Sequence, residues 1–216
     1  MGVLQVSLAD QYLIATGQTR LLEVWDALPP GLFPPFPPVE LPGGLDGWLQ
    51  RGGFAQTFFL GSEVLGLKFR SPKGHVLQAG GLTVKNVQGY DLVRPFMGSF
   101  GALGEALEVT LRLRPGRASI FLRRPGELSL PPYKPRFLWQ EGAHTYAFHF
   151  GHPSEVTRFR EVFGGESVAQ PPDYTPLFPN GMGVGPGGLI DLRFSWANGG
   201  AAPPIPEVFR RLAEAL

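Results

Sequence analysis

Apolar and polar residues alternate most cleanly over residues 107–114, LEVTLRLR. Leu107, Val109, Leu111 and Leu113 point one way and Glu108, Thr110, Arg112 and Arg114 the other, which is the period of a half-buried strand. Pro115-Gly116 breaks it. The same alternation from Val64 to Phe69, a Pro72-Lys73-Gly74 turn and a return through His75-Val76-Leu77 predict a hairpin. Shorter strands are expected at Leu13-Ile14-Ala15, Ala118–Leu122 and Ile190–Trp196, with a second hairpin from Arg136 to Phe150 turning at Glu141-Gly142. Three stretches carry helical spacing instead. They are Leu21, Val24, Trp25 and Leu28 behind a Thr19 cap; Val156, Phe159 and Phe163 between a Ser154 cap and Gly164; and Phe209, Leu212 and Leu216 after Pro206. Residues 29–38, PPGLFPPFPP, suit neither helix nor central strand and read as a rigid loop pinned by Phe33 and Phe36. Small residues dominate 42–53, and 171–188 is a long Pro/Gly loop. The pattern is α+β with antiparallel strands, and Pro115-Gly116 suggests a division into residues 1–115 and 116–216.

Composition narrows the classes. In 216 residues, 43% hydrophobic and 17% charged content suits a folded core, and 30 Gly with 23 Pro suits many turns and short strands rather than a helical bundle. A net charge of +1 gives no reason to expect nucleic acid. The absence of Cys excludes disulfides, thiolate nucleophiles and cysteine-held metal or iron–sulfur centres in this chain. No apolar run is long enough for a transmembrane segment, and the opening MGVLQVSLADQ is unlike a signal peptide, so a cytoplasmic protein is expected.

Most candidate motifs have a bland reading that wins. Gly183 to Gly188 matches GxGxxG, but a Pro-rich loop precedes it and a strand follows, with no helix to receive a diphosphate. His144, His149 and His152 lie close in sequence. On one strand the first two face opposite sides, and with Tyr146, Phe148 and Phe150 forming the apolar face, His149 is expected on a solvated one. The run of Arg112, Arg114, Arg117, Arg123 and Arg124 reads as the wet face of a two-stranded ribbon. No Ser lies in GxSxG.

Residues 80–115 stand apart. Gly98, Gly101 and Gly104, spaced by three, either let backbone N–H groups approach a flat or phosphorylated ligand or make a tight turn packed under the following strand.

The order Gly80-Gly81, Lys85-Asn86-Val87-Gln88-Gly89-Tyr90-Asp91-Leu92, Gly98-Ser99-Phe100-Gly101-Ala102-Leu103-Gly104 and Pro115 resembles the FAD-linked oxidase family with the vanillyl-alcohol-oxidase-type flavin domain. Within it, the stretch is most similar to the small FAD-binding subunits of bacterial glycolate oxidases. Leu41-Pro42-Gly43-Gly44 sits where the family has a Gly-Gly loop against the flavin, and Glu105 stands where it prefers a small aliphatic residue. The resemblance implies the second half of a flavin domain followed by a small antiparallel α+β cap. It implies oxidation of a 2-hydroxy acid such as glycolate to the 2-oxo acid through FAD. The cofactor would be contacted by Gly43, Gly44, Lys85, Asn86, Gly98, Ser99, Gly101, Leu103 and Gly104. Nothing before Asp10 resembles the Gly-rich loop that cradles the FAD diphosphate, so FAD binding is expected to be weak or partner-dependent. The implied partners are a larger flavin subunit and an iron–sulfur subunit, through which the chain could also meet a membrane surface. Phe33, Phe36, Phe58 and Phe59 are expected to line an exposed surface facing such a partner. Two alternatives stand beside this: a structural subunit that keeps the fold without autonomous FAD binding, and an unrelated α+β binding module.

Overall fold

The computed structural model describes residues 2–51, 63–82, 91–178, 189–191 and 204–216. In chain order the elements are β1 (Val3–Ser7), β2 (Tyr12–Thr16), α1 (Leu21–Ala27), β3 (Leu32–Phe33), α2 (Gly44–Arg51), β4 (Val64–Arg70), β5 (Val76–Gly80), α3 (Val93–Phe96) and β6 (Glu105–Arg112). Then follow β7 (Arg114–Pro115), β8 (Ala118–Pro125), β9 (Phe137–Glu141), β10 (His144–Gly151), α4 (Pro153–Phe163), β11 (Glu166–Ser167), β12 (Leu189–Asp191) and α5 (Glu207–Ala215). The α+β class with antiparallel sheets is what the chain adopts.

The first sheet has the order β1-β2-β6-β4-β5, every neighbour antiparallel. Register explains its two faces. Leu13 opposes Leu111, Ala15 opposes Val109, and Leu67 opposes Val109 from the other side. All five are buried beside Leu45, Trp48 and Leu49 of α2. The opposite face carries Lys68, whose Nζ lies 2.7 Å from Glu108. The second sheet has the order β11-β8-β10-β9-β12, again antiparallel. The chain passes from one sheet to the other through β7, which pairs with β3.

Aromatic packing joins the two sheets into one core. Phe33 stacks on Phe150 at 4.3 Å, Trp25 meets Phe148 edge-on at 5.3 Å, and Trp139 stacks on Tyr146 at 5.6 Å. The expected exposure of Phe33 and Phe36 is therefore corrected. They are 7% and 0% exposed, because the proline-rich segment turns both rings inward, Phe36 against Trp48 at 5.1 Å. Phe58 and Phe59 lie outside the described residues. Beside the seam, buried Glu63 accepts from Arg114 Nε at 3.0 Å, and the Arg136 guanidinium sits 4.9 Å above the Phe150 ring. Arg123 pairs with Glu166 at 2.6 Å and Arg124 lies 4.5 Å over the Phe163 ring, so much of the arginine run is engaged rather than merely wet.

Three local expectations need correction. Thr19 does not cap α1: it is buried, its hydroxyl 2.9 Å from that of Thr16. The turn that brings β2 into α1 points the first helical amides at Glu40, whose buried carboxylate accepts from Leu21 N at 3.1 Å and Leu22 N at 3.3 Å. Helix α4 is capped by His152 rather than Ser154, because Pro153 already occupies the first helical position. His149 is not solvated. It is 5% exposed, because α4 lies across that face of the second sheet with Phe159 and Phe163 against Leu122, Leu138 and Ala147.

The C-terminal part returns to the N-terminal part twice, at Glu40 and at the β4–β5 turn. Glu40 N donates to Pro172 O and Tyr174 N to Glu40 O, both at 3.0 Å, and Trp139 Nε1 donates to the Tyr174 hydroxyl at 2.9 Å. At α5, Ser71 Oγ donates to Leu216 O at 3.3 Å and Lys73 Nζ to the Glu214 carbonyl. The GxGxxG match at 183–188 lies outside the described residues. Among the described residues, no helix is long and apolar enough to cross a membrane and no cluster could hold a metal ion.

Candidate cofactor site

Helix α2 organises the site. Its entry needs left-handed backbone: Gly43 and Gly44 have φ of 78° and 58°, and a Cβ on Gly44 would lie 2.5 Å from Thr19 O. Its first amides bind the chain itself, Leu45 N donating to Thr19 O at 3.0 Å and Asp46 N to Gly17 O at 2.7 Å. The Asp46 carboxylate accepts from Ala106 N at 2.8 Å and Gln50 Nε2 at 2.6 Å, which locks α2 to the start of β6. Burial pushes its pKa above the usual carboxylate range despite those two bonds.

The Gly98–Gly104 turn closes the other end of the helix. Gly98 N donates to Leu49 O at 2.9 Å and Phe100 N to Gln50 O at 3.0 Å, satisfying carbonyls that a helix end leaves open. Within the turn, Ala102 N donates to Ser99 O at 3.0 Å and Gly104 N to Gly101 O at 3.1 Å, while Leu103 is fully buried. Gly98, Phe100, Gly101 and Gly104 all have positive φ. These amides serve the fold. What the turn offers to a ligand is different: the Ser99 hydroxyl, sealed from solvent and without a partner among the described residues, and an open side at Gly98, where a Cβ would meet nothing within 4 Å. Beside them, buried Arg51 holds its guanidinium 5.1 Å over the Phe100 ring.

The structure thus places Gly43-Gly44 and Gly98–Gly104 at the two ends of one eight-residue helix, about 12 Å long. Lys85 and Asn86 lie outside the described residues. Glu105 is half-exposed and 3.7 Å from Arg70, an ion pair at the sheet surface. At the Gly43-Gly44 end an open cleft of about 360 Å³ is lined by Arg20, Glu40, Asp173 and Thr175 among others. Arg20 Nε is held 3.2 Å from Glu40, and Asp173 and Thr175 bring to the cleft a C-terminal segment that the sequence did not place near it. An orphaned buried hydroxyl, an open glycine and two left-handed helix junctions fit a large planar cofactor with polar edges.

The chain resembles alkyldihydroxyacetonephosphate synthase with a TM-score of 0.51 at 13% identity, over 74% of this chain and 39% of that one. In sequence it is 35% identical over 117 residues to the glycolate oxidase subunit GlcE of Escherichia coli, covering 49% of this chain and 33% of that protein. It is 42% identical over 76 residues to the glycolate oxidase subunit GlcD of Bacillus subtilis, covering 35% of this chain and 15% of that protein. Residues 121–199 match a family of unknown function, DUF5639. In sequence, then, the chain is similar to part of the glycolate oxidase subunits GlcE and GlcD. It spans a third of the length of GlcE and a smaller share of GlcD.

Proposed function

We propose that this chain is a glycolate-oxidase-type subunit that forms one wall of an FAD site, completed by a partner. The observation that carries the reading is the 117-residue likeness to GlcE together with the buried Ser99 hydroxyl of the Gly98–Gly104 turn, which has no partner among the described residues. Bound flavin would supply the hydride acceptor for oxidation of a 2-hydroxy acid at C2. The chain's own part is to hold and orient it. Ser99 would hydrogen-bond a polar edge, Gly98 would let the ring or ribityl chain lie against backbone, and α2 would keep both ends in fixed relation. Gly43, Gly44, Gly101, Leu103 and Gly104 would shape the wall, with Lys85 and Asn86 as further contacts. With no Cys in this chain, onward electron transfer would fall to an iron–sulfur partner beside a larger flavin subunit.

Flavin titration followed by fluorescence tests this. The 216-residue chain alone should bind FAD weakly, and co-expression with a larger flavin subunit and a Cys-rich subunit should retain yellow flavin on purification. Ser99→Ala should weaken retention up to about tenfold. The same change should leave stability equal or slightly higher, since it removes an unpaired buried hydroxyl. Submicromolar binding by the chain alone would refute the partner-completed site. Flavin retention indifferent to Ser99→Ala would favour the structural-subunit alternative, for which the self-satisfied amides of the turn already speak.

A further inference from the structure

Two histidines bear on helix α4 from different sides. His149, on β10, lies beneath it; both ring nitrogens are closed to solvent and have no hydrogen-bond partner among the described residues. Its ring packs against Phe159 of α4 at 5.0 Å and Tyr133 at 5.6 Å. The charged groups facing it are Arg136, from the segment before β9, and Glu155 of α4, while Arg158 of α4 sits 5.8 Å over the Tyr133 ring. Across the strand pair it faces Ile120 of β8. Burial, with Arg136 adding to it and Glu155 opposing, lowers the His149 pKa to about 4. His152 caps the same helix: its Nδ1 accepts from Ser154 N at 3.3 Å, and its own amide donates to Glu155 Oε2 at 3.0 Å.

We propose that α4 is an acid-releasable cover of the second sheet, freed when the buried His149 ring takes up a proton while the first sheet stays folded. The helix is held by a small cluster of its own, Leu122, Leu138, Ala147, Phe159 and Phe163, separate from the main core. Its C-terminal end is tied by Arg124, whose Nη1 donates to Phe163 O at 3.2 Å, a contact that protonation leaves intact. Release would therefore begin at the His152 end and uncover an apolar strip at Leu122, Leu138 and Ala147. Above pH 6.5 neither the closed nor the released form takes the His149 proton. Between 6.5 and about 4 only the released form does, so opening grows as pH falls. This device does not depend on flavin.

Hydrogen exchange of the full chain by mass spectrometry, corrected for intrinsic rates, tests it. Protection of 153–163 should fall about 30-fold between pH 7.5 and 5.0 through His149 alone. Amides of β2, β4 and β6 should keep theirs. His149→Phe, which fills the same space with an apolar ring that does not titrate, should reduce the change to under about threefold. Imidazole NMR of the wild type gives a check that needs no variant, since His149 should titrate together with the loss of α4 protection. Constant protection of α4, an equal loss in His149→Phe, loss of protection in both sheets together, or a His149 that stays neutral while α4 opens would each overturn the proposal.

Discussion

Glycines that look alike in the sequence carry different loads. Gly104 has φ of 108° and a Cβ there would lie 1.9 Å from Arg70 O, which is backbone and cannot yield cheaply. Among the described residues, a Cβ on Gly98, whose φ is 77°, meets nothing within 4 Å, and at Gly101 the nearest atom is the end of the Gln50 side chain at 3.1 Å. Gly104→Ala should therefore destabilise by about 2–4 kcal/mol and Gly98→Ala by only about 1 kcal/mol, the cost of the left-handed backbone. Urea denaturation of both variants measures this, and equal losses would show that the turn relaxes around Gly104. The three-residue glycine spacing was visible in the sequence, but it could not show which glycine faces a carbonyl and which faces space. Ser99 was named there as part of a motif. Only burial without a partner singled it out as a group with bonding capacity to spare.

Among the elements, the strands with regular alternation were legible and α2 was not. Two glycines lie inside GLDGWLQR, each costing about 1 kcal/mol of helix propensity, so the stretch reads as loop. Burial of Leu45, Trp48 and Leu49 together with both capped ends overrides that cost. Helix α1 was legible in its apolar spacing but not in its cap, because Glu40 is twenty residues from Arg20 along the chain. Glu40→Ala strands two helical amides and the carboxylate's partner Arg20, and is expected to cost about 2–3 kcal/mol. Glu40→Gln should cost less, since the amide oxygen can still accept. Thermal melts of the two variants order these, and an α1 indifferent to Glu40→Ala would mean that packing of Leu21 and Val24 alone holds the helix.

On the scale of the whole molecule, the two sheets share one aromatic core and should unfold together. Phe33→Ala removes the stack on Phe150 and is expected to cost about 3–5 kcal/mol. In the unaltered chain, far-UV dichroism and tryptophan fluorescence should follow a single coincident transition, because Trp48 packs in the one core shared by both sheets, Trp25 meets Phe148 of the second sheet and Trp139 lies within it. Two separated transitions would show that the halves fold independently. The sequence by itself determined the antiparallel α+β class, the two hairpins and the likeness to glycolate oxidase subunits, because alternation, turn residues and the glycine-rich motif are local and survive without tertiary context. Tertiary structure decided the rest. It buried Phe33 and Phe36, covered His149 with α4, gave α1 its cap from Glu40 and brought Asp173 to the Gly43-Gly44 cleft. Each of these depends on which face of an element meets another, and alternation along one strand tells its two faces apart without saying what will cover either of them.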